Sequence, residues 1–285
     1  AGANPDQPKD FIVKSELYGI PQTRHRVILL GIRTDLSIDR IPLLNLSPRE
    51  ITVNDAIRDC PRIRSGITRT KDSASSWVSA VREVEKQPWL KGLDKALVKK
   101  MRSASSRGVI PRKDRGQQHL YSGSNPDRDP LASWIRDKRM KGWITQHYSR
   151  AHMPSDLHRY FFASCFATVH QRSPKICEFP RELLPDHRSA HGATKSQPFS
   201  DRFKVQLQNQ PASTITSHIA KDGHYYIHYD PQQCRSLTVR EAARLMTFPD
   251  NYIFSGSSGA KYKMLGNAVP PKFSEIIAKV IKRII

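Results

Sequence analysis

The run Val27-Ile28-Leu29-Leu30-Gly31-Ile32 is the feature that most limits how this chain can fold. A near-continuous apolar stretch of this length reads as a strand covered on both faces. Phe11-Ile12-Val13 reads as a second short strand, with Tyr18-Gly19-Ile20-Pro21 as a turn between the two. Two strands and a turn make a hairpin, which is marginal alone in water. This hairpin therefore needs a larger sheet to join. The far end of the chain raises the same demand. Phe273, Ile276, Ile277, Val280, Ile281 and Ile284 line one stripe of a helix that starts near Pro271, with Lys272, Glu275, Lys279, Lys282 and Arg283 opposite.

Between these ends the pattern is mixed. Leu46-Ser47-Pro48-Arg49-Glu50 carries a helix-start signal, and Thr52 with Asp55 opens a short helix through Val53, Ala56 and Ile57 that stops before Pro61. Helical spacing recurs over Ser76 to Gln87 (Trp77, Val81, Val84), Ala96 to Met101 and Asp156 to Phe166 (Leu157, Tyr160, Phe161, Cys165). Residues 102–130 are polar and rich in Gly, Ser, Pro, Arg and Lys, which predicts a long loop, mobile without a ligand. Residues 1–10 are polar and predict disorder. Thr214-Ile215-Thr216 and His224-Tyr225-Tyr226-Ile227-His228 predict strands. Thr238 with Glu241 forms a capping box for a helix from Val239 to about Thr247, ended by Pro249.

Charge identifies the partner class. The 285 residues hold 47 Lys and Arg against 26 Asp and Glu, a net charge of +21 that calls for a polyanion. No amphipathic basic helix stands alone, which favours nucleic acid over a membrane surface. Cys60, Cys165, Cys177 and Cys234 are widely spaced, without a CxxC pair or a Cys/His ligand spacing. That predicts free thiols in a reducing compartment and no metal. No segment reads as a signal peptide or spanning helix, so the expected location is cytoplasmic, in company with nucleic acid.

Three segments carry chemistry. Gln22-Thr23-Arg24-His25-Arg26 puts three long donors, Gln22, Arg24 and Arg26, on one face if the backbone is extended. The second segment runs Arg235-Ser236-Leu237-Thr238-Val239-Arg240-Glu241-Ala242-Ala243-Arg244-Leu245, and the third is Gly266-Asn267-Ala268-Val269-Pro270-Pro271, a turn before the last helix. Together and in this order they resemble motifs VIII, IX and X of the DNA cytosine-5 methyltransferases. The motif IX likeness has one departure, Met246, where the family often has Gln.

The resemblance implies an α/β fold. It would comprise the edge hairpin and final helix of a doubly wound S-adenosylmethionine methyltransferase sheet plus an irregular α+β target-recognition domain. The implied organisation is residues 1–61 as closing strands of the catalytic domain, 62–230 as target-recognition domain, and 231–285 as motifs IX and X returning to the catalytic domain. It assigns Arg26 to the carbonyl oxygen of a flipped cytosine, with Arg24 and Gln22 holding the surrounding loop. Asn267, Gly266 and Ala268 would line the S-adenosylmethionine pocket. Arg240 and Glu241 would be structural, Arg240 through polar contacts between domains. Candidates for phosphate are Arg69, Lys71, Lys99, Lys100, Arg102, Arg107, Arg112, Lys113 and Arg115. Thr214, Thr216 and His218 are the further DNA candidates, in a stretch that with Asp222-Gly223-His224 resembles the end of the bacterial recognition region.

The opening motifs are not in this sequence. No cysteine follows a proline, no Glu precedes Asn-Val, and no strand-GxG-helix unit occurs. The expectation is therefore the DNA-recognition half of a cytosine-5 methyltransferase, sharing S-adenosylmethionine with a catalytic partner chain and inactive without it. The alternatives are a non-catalytic, sequence-specific DNA-binding module and a generic basic RNA-binding protein. The latter predicts no order across the three motifs.

Overall fold

The computed structural model describes residues 7–35, 41–106, 114–123, 131–185 and 201–284. Its strands and helices, in chain order, are β1 (Val13–Lys14), β2 (Gln22–Thr23), β3 (His25–Arg26), α1 (Val53–Ile57), β4 (Gly66–Ile67), α2 (Ala74–Arg82), α3 (Lys95–Ser106), β5 (Gly116–Tyr121), α4 (Ala132–Ile135), β6 (Trp143–Tyr148), β7 (Ala151–His152), α5 (Pro154–His170), β8 (Ala212–Ser213), α6 (Val239–Leu245), α7 (Ser258–Asn267) and α8 (Pro271–Ile281). The architecture is mixed α/β. The strands form four two-stranded pairs: β1 with β3 and β5 with β6 antiparallel, β2 with β8 and β4 with β7 parallel.

Two apolar clusters organise the molecule. In the first, α2, α3 and α5 pack together through Trp77, Val81, Leu97, Met101, Leu157 and Phe161. In the second, α6 is the hub, with α1, the β5–β6 hairpin, α7 and the segment 212–226 around it. The middle region, 62–230, contributes to both clusters: Leu120, Leu131, Ile135 and Ile144 belong with α6.

Several expectations change. Val27–Ile32 forms no strand, and Leu29 is 92% exposed. The antiparallel pair at this end is instead Val13–Lys14 with His25–Arg26, Val13 opposite Arg26 and Lys14 opposite His25. No strand among the described residues lies beside the apolar run, so it has nothing to pair with. The polar stretch 102–130 is not one long loop: α3 continues to Ser106 and β5 occupies Gly116–Tyr121, while 107–113 and 124–130 lie outside the described residues. At 224–228 no strand forms; Ile227 makes isolated bridges to Val205 and Ser236. In the expected Thr214–Thr216 strand only the two residues before it pair, as β8. Pro8–Phe11 forms a short 3-10 helix where disorder was expected, with 1–6 outside the described residues.

Helix α6 is anchored by charge. Thr238 caps it, accepting from the Glu241 backbone N–H while the Glu241 carboxylate accepts from the Thr238 N–H. That carboxylate also receives a two-pronged pair from Arg235, at 2.6 and 2.7 Å. Arg244 grips both oxygens of Asp250, at 2.8 and 2.7 Å, and reaches Asp59 at 2.6 Å. Asp59 is in turn paired with Arg136. Arg240 donates to the Thr145 carbonyl and to the carbonyls of Pro249 and Tyr252, tying α6 to β6 and the following loop. All three arginines are buried, and removing one partner of such a pair typically costs about 3–5 kcal/mol.

His147 sits inside this network, its ring bridging Thr238 Oγ1 and the Pro61 carbonyl. Burial pushes its pKa down to about 4. An unfolded histidine titrates near about 6.5. Between these values the unfolded chain binds more protons, so stability falls as the pH drops. Burial opposes ionisation of Glu241, but Arg235 outweighs it and holds the carboxyl well below its usual range. Its contribution is therefore present above about pH 4.3 and is lost on further acidification. We expect unfolding free energy to drop by roughly 3 kcal/mol between pH 7 and pH 4 through His147 alone. Urea titrations across that range test this: H147Q should flatten the slope, and an unchanged slope would show that His147 does not carry it.

Candidate nucleic-acid interface

The strand containing Gln22, Arg24 and Arg26 is interrupted, and the interruption sends the three side chains to different places. Strand β2 pairs with Ala212–Ser213 on one side, and β3 pairs with Val13–Lys14 on the other. Arg24 stands at the break, its N–H held by Ser15 Oγ at 2.9 Å.

Gln22 is fully buried. Its amide donates to the Leu245 carbonyl at 3.1 Å and contacts Met246 Sδ at 2.8 Å, and its Oε1 accepts from the Ile215 N–H at 3.1 Å. One side chain thus joins the end of α6 to the 212–216 segment. Arg24 donates to the Ile215 carbonyl at 2.9 Å and to the Gly266 carbonyl at 3.4 Å. Burial first, and repulsion from Arg26 second, push its pKa below the usual arginine value. Arg26 is exposed, and among the described residues its guanidinium makes one hydrogen bond, to the carbonyl of His25 beside it. The His25 ring is engaged by Glu16 at 2.7 Å.

The expected turn at Gly266-Asn267 is the last turn of helix α7 instead. Ser257 caps that helix, accepting from the Ala260 N–H. Gly266 is required by packing: a Cβ there would lie 2.1 Å from Ser217 N and 2.2 Å from Thr216 C. The glycine thus serves a close approach between α7 and the 216–217 backbone. Asn267 is exposed and Ala268 half-buried.

The predicted DNA residues fall in separate places. Thr214, Thr216 and His218 line an open cavity of about 390 Å³ together with Thr23, Lys204, Ser213, Tyr225 and Tyr226. Thr214 Oγ1 donates to the Thr23 carbonyl, so the cavity wall is continuous with β2. Lys99, Lys100 and Arg102 lie on α3 and line other depressions, with Lys99 and Arg102 exposed. Arg69 and Lys71 are exposed. Arg115 is turned inward, to Asp72 at 2.8 Å and to the Ser149 carbonyl, with its guanidinium where a Gly66 side chain would be. That spends its charge within the chain, against the phosphate role. Arg107, Arg112 and Lys113 lie outside the described residues.

Sequence spacing gave no sign that Cys60, His147 and Glu241 meet, yet their ligand atoms lie within 4.8 Å of one another. Arginines occupy the cation positions there: Arg235 on Glu241, and Arg244 3.3 Å from Cys60 Sγ. Burial raises the Cys60 thiol well above its ordinary value, which leaves it protonated. The cluster is an ion-paired core.

The three sequence motifs therefore converge: Gln22 on the end of α6, and Arg24 on the end of α7. Residues 9–283 match the family described as C-5 cytosine-specific DNA methylase, and the chain belongs to it. It is 46% identical over 142 residues to type II methyltransferase M.Bpa9945I of Bacillus paralicheniformis, covering 50% of this chain and 30% of that protein. Over 277 residues it is 25% identical to the putative type II methyltransferase M.OihORF3336P of Oceanobacillus iheyensis, covering 93% of this chain and 59% of that protein. A similar match to M.BbvI of Brevibacillus brevis is 24% identical, covering 95% of this chain and 47% of that protein. The chain thus spans at most about three fifths of the length of these relatives.

Two substitutions test the convergence. G266A should lower stability by about 3 kcal/mol through backbone collision, read by urea unfolding. Q22A should cost roughly 2 kcal/mol by leaving the Ile215 N–H and Leu245 carbonyl unpaired. A Q22A loss below about 0.5 kcal/mol would show that this side chain does not join the segments.

Proposed function

We propose that this chain is the DNA-recognition half of a DNA (cytosine-5)-methyltransferase, completing the base and cofactor pockets of a catalytic half supplied from outside these 285 residues. The observation that carries this reading is Arg26: an exposed guanidinium beside Arg24, on a loop fixed by Gln22 and Arg24 to α6 and α7. Such a fixed, open donor suits a base that has left the duplex.

In this reading double-stranded DNA is the substrate, and the cavity lined by Thr214, Thr216 and His218 contacts it near the target cytosine. Attack at cytosine C6 by a thiolate of the catalytic half pushes negative charge toward the ring oxygen and N3. Arg26 donates to that oxygen and stabilises the charge where it develops. Gln22 and Arg24 position the loop and touch no reacting atom. Lys99, Lys100 and Arg102 offer positive charge to phosphates, which orient the duplex without reading it.

S-adenosylmethionine, when bound, supplies the methyl group that C5 receives. The fit of the motif X residues to it is partial. Asn267 presents an exposed carboxamide and Ala268 follows it, which suits the rim of a cofactor pocket, whereas Gly266 is committed to Thr216 and Ser217. The exposed apolar run Val27–Leu30 and the exposed Ile281 of α8 suit docking onto the sheet of the catalytic half. We read that half as a heterodimeric partner in a restriction-modification setting. Among the described residues no helix is long and apolar enough to cross a membrane.

The test is transfer of labelled methyl groups from S-adenosylmethionine to unmethylated bacterial DNA, by this chain alone and mixed with the part of the Oceanobacillus relative that this chain does not match. Activity only in the mixture supports the proposal, and R26A should then lower the rate about 100-fold with DNA binding retained. A rate within threefold of wild type would remove Arg26 from the chemistry. Activity from the chain alone would place the nucleophile here. DNA binding without transfer in either case would favour a recognition module without catalysis.

A further inference from the structure

The β5–β6 hairpin carries an exposed feature that the site above does not use. At its far end Tyr121 stands directly opposite Trp143. The ring centroids are 5.7 Å apart with planes inclined at 59°, and the two residues are 50% and 49% exposed. A cross-strand aromatic pair steadies a hairpin by a fraction of a kcal/mol. The surroundings here go further than that role requires. Gly123 and Gly142 both adopt left-handed backbone, at φ 66° and 82°, and a Cβ on either would come within 3.3 and 3.1 Å of the Tyr121 ring. The two glycines thus leave both edges of the ring free of a neighbouring side chain that would press on it.

The turn leading into β6 adds charge. Lys138, Arg139 and Lys141 are exposed, and Lys141 is itself left-handed at φ 46°. Asp137 takes the charge of Arg139 through contacts of 2.6 to 3.1 Å, so Lys138 and Lys141 are the cations that turn offers. His119, on the same strand as Tyr121, is exposed too. Open aromatic faces beside lysines, on a chain of net charge +21, match nucleic acid in both parts: rings for bases, cations for phosphates.

We propose that the Tyr121–Trp143 pair is a stacking contact for a DNA base that lies outside the paired helix, with Lys138 and Lys141 on the adjoining phosphates. This rests on the reading that the chain binds DNA, and it adds a contact surface separate from the Arg26 loop and from the cavity beside Thr214.

The experiment compares a fully paired duplex with the same duplex carrying one unpaired base, by fluorescence anisotropy of the full chain across a salt series. Wild type should prefer the unpaired-base duplex. Y121L and W143L keep apolar bulk on the hairpin but remove the ring, and should weaken that binding roughly 5- to 100-fold with the salt slope unchanged. W143F should keep most of the affinity. K138Q and K141Q should each reduce the salt slope by about one. Because an unfolded variant would also lose binding, a second reading uses wild type alone: unpaired-base DNA should protect tryptophan emission from acrylamide more than paired DNA does. If wild type binds DNA but W143L binds both duplexes within twofold of it, the stacking contact is wrong and the recognition reading stands. If wild type binds neither duplex, both fall. Weakened association of W143L with the catalytic half, with DNA binding intact, would make the pair a protein contact and overturn the proposal.

Discussion

Everything around the site hangs on three buried arginines in and just before one seven-residue helix. Arg235, Arg240 and Arg244 each enter a region from which water is excluded, and each is matched there by carboxylates or carbonyls. Leaving any of these charges unmatched would be costly. The consequence is positional. Because Arg240 donates at once to Thr145, Pro249 and Tyr252, with Asp250 3.7 Å away, β6 and the loop after α6 are held in one arrangement. Arg244 imposes the same on α1 through the Ala56 carbonyl, and on the residues after it through Asp59. A purely apolar helix could slide against its neighbours; this one is keyed to them.

That keyed helix gives Gln22 a firm object to hold. The amide donates to the Leu245 carbonyl at the buried end of α6 and, with its other atom, fixes Ile215. Arg24 repeats the device one step further along, between Ile215 and Gly266. The 212–218 segment is thereby built into the same body as the two motif segments, although regular pairing accounts for only two of its residues. Its hydroxyls and His218 face an open cavity from a rigid wall, which is the condition under which small polar groups can discriminate between ligands.

Much of this was legible in the sequence, and the failures have physical causes. The capping box at Thr238 and Glu241, the α1 start at Thr52 and the helices through Trp77, Leu97 and Tyr160 follow from local rules that the tertiary structure did not override. Helix α7 was missed because Gly259, Lys261, Lys263 and Gly266 give it no clear apolar period, and its cap, Ser257, sits in a glycine- and serine-rich stretch that reads as loop. The β5–β6 hairpin was missed because β5 buries only Leu120, and β6 is bent at Gln146, a non-glycine at φ 58° whose side chain pairs with the Phe254 backbone as a strand would. Alternation placed Gln22, Arg24 and Arg26 together; the break between β2 and β3 separates them, and only long-range contacts show that. The burial of Val27–Ile32 presumed a neighbouring strand that the described residues do not contain.

The span of these contacts has a kinetic side. Gln22 finds Leu245 across 223 positions, Arg24 finds Gly266 across 242, and the Tyr18 ring meets Phe273, 5.9 Å away, from still farther along the chain. Each closes a very large loop before any of it is rewarded, the circumstance that slows folding most. On the ribosome the first segment must wait, unsatisfied, until nearly all the rest has been made. Gln22, fully buried in the folded chain, passes that interval without its partners, which makes translation speed through the middle region a determinant of yield.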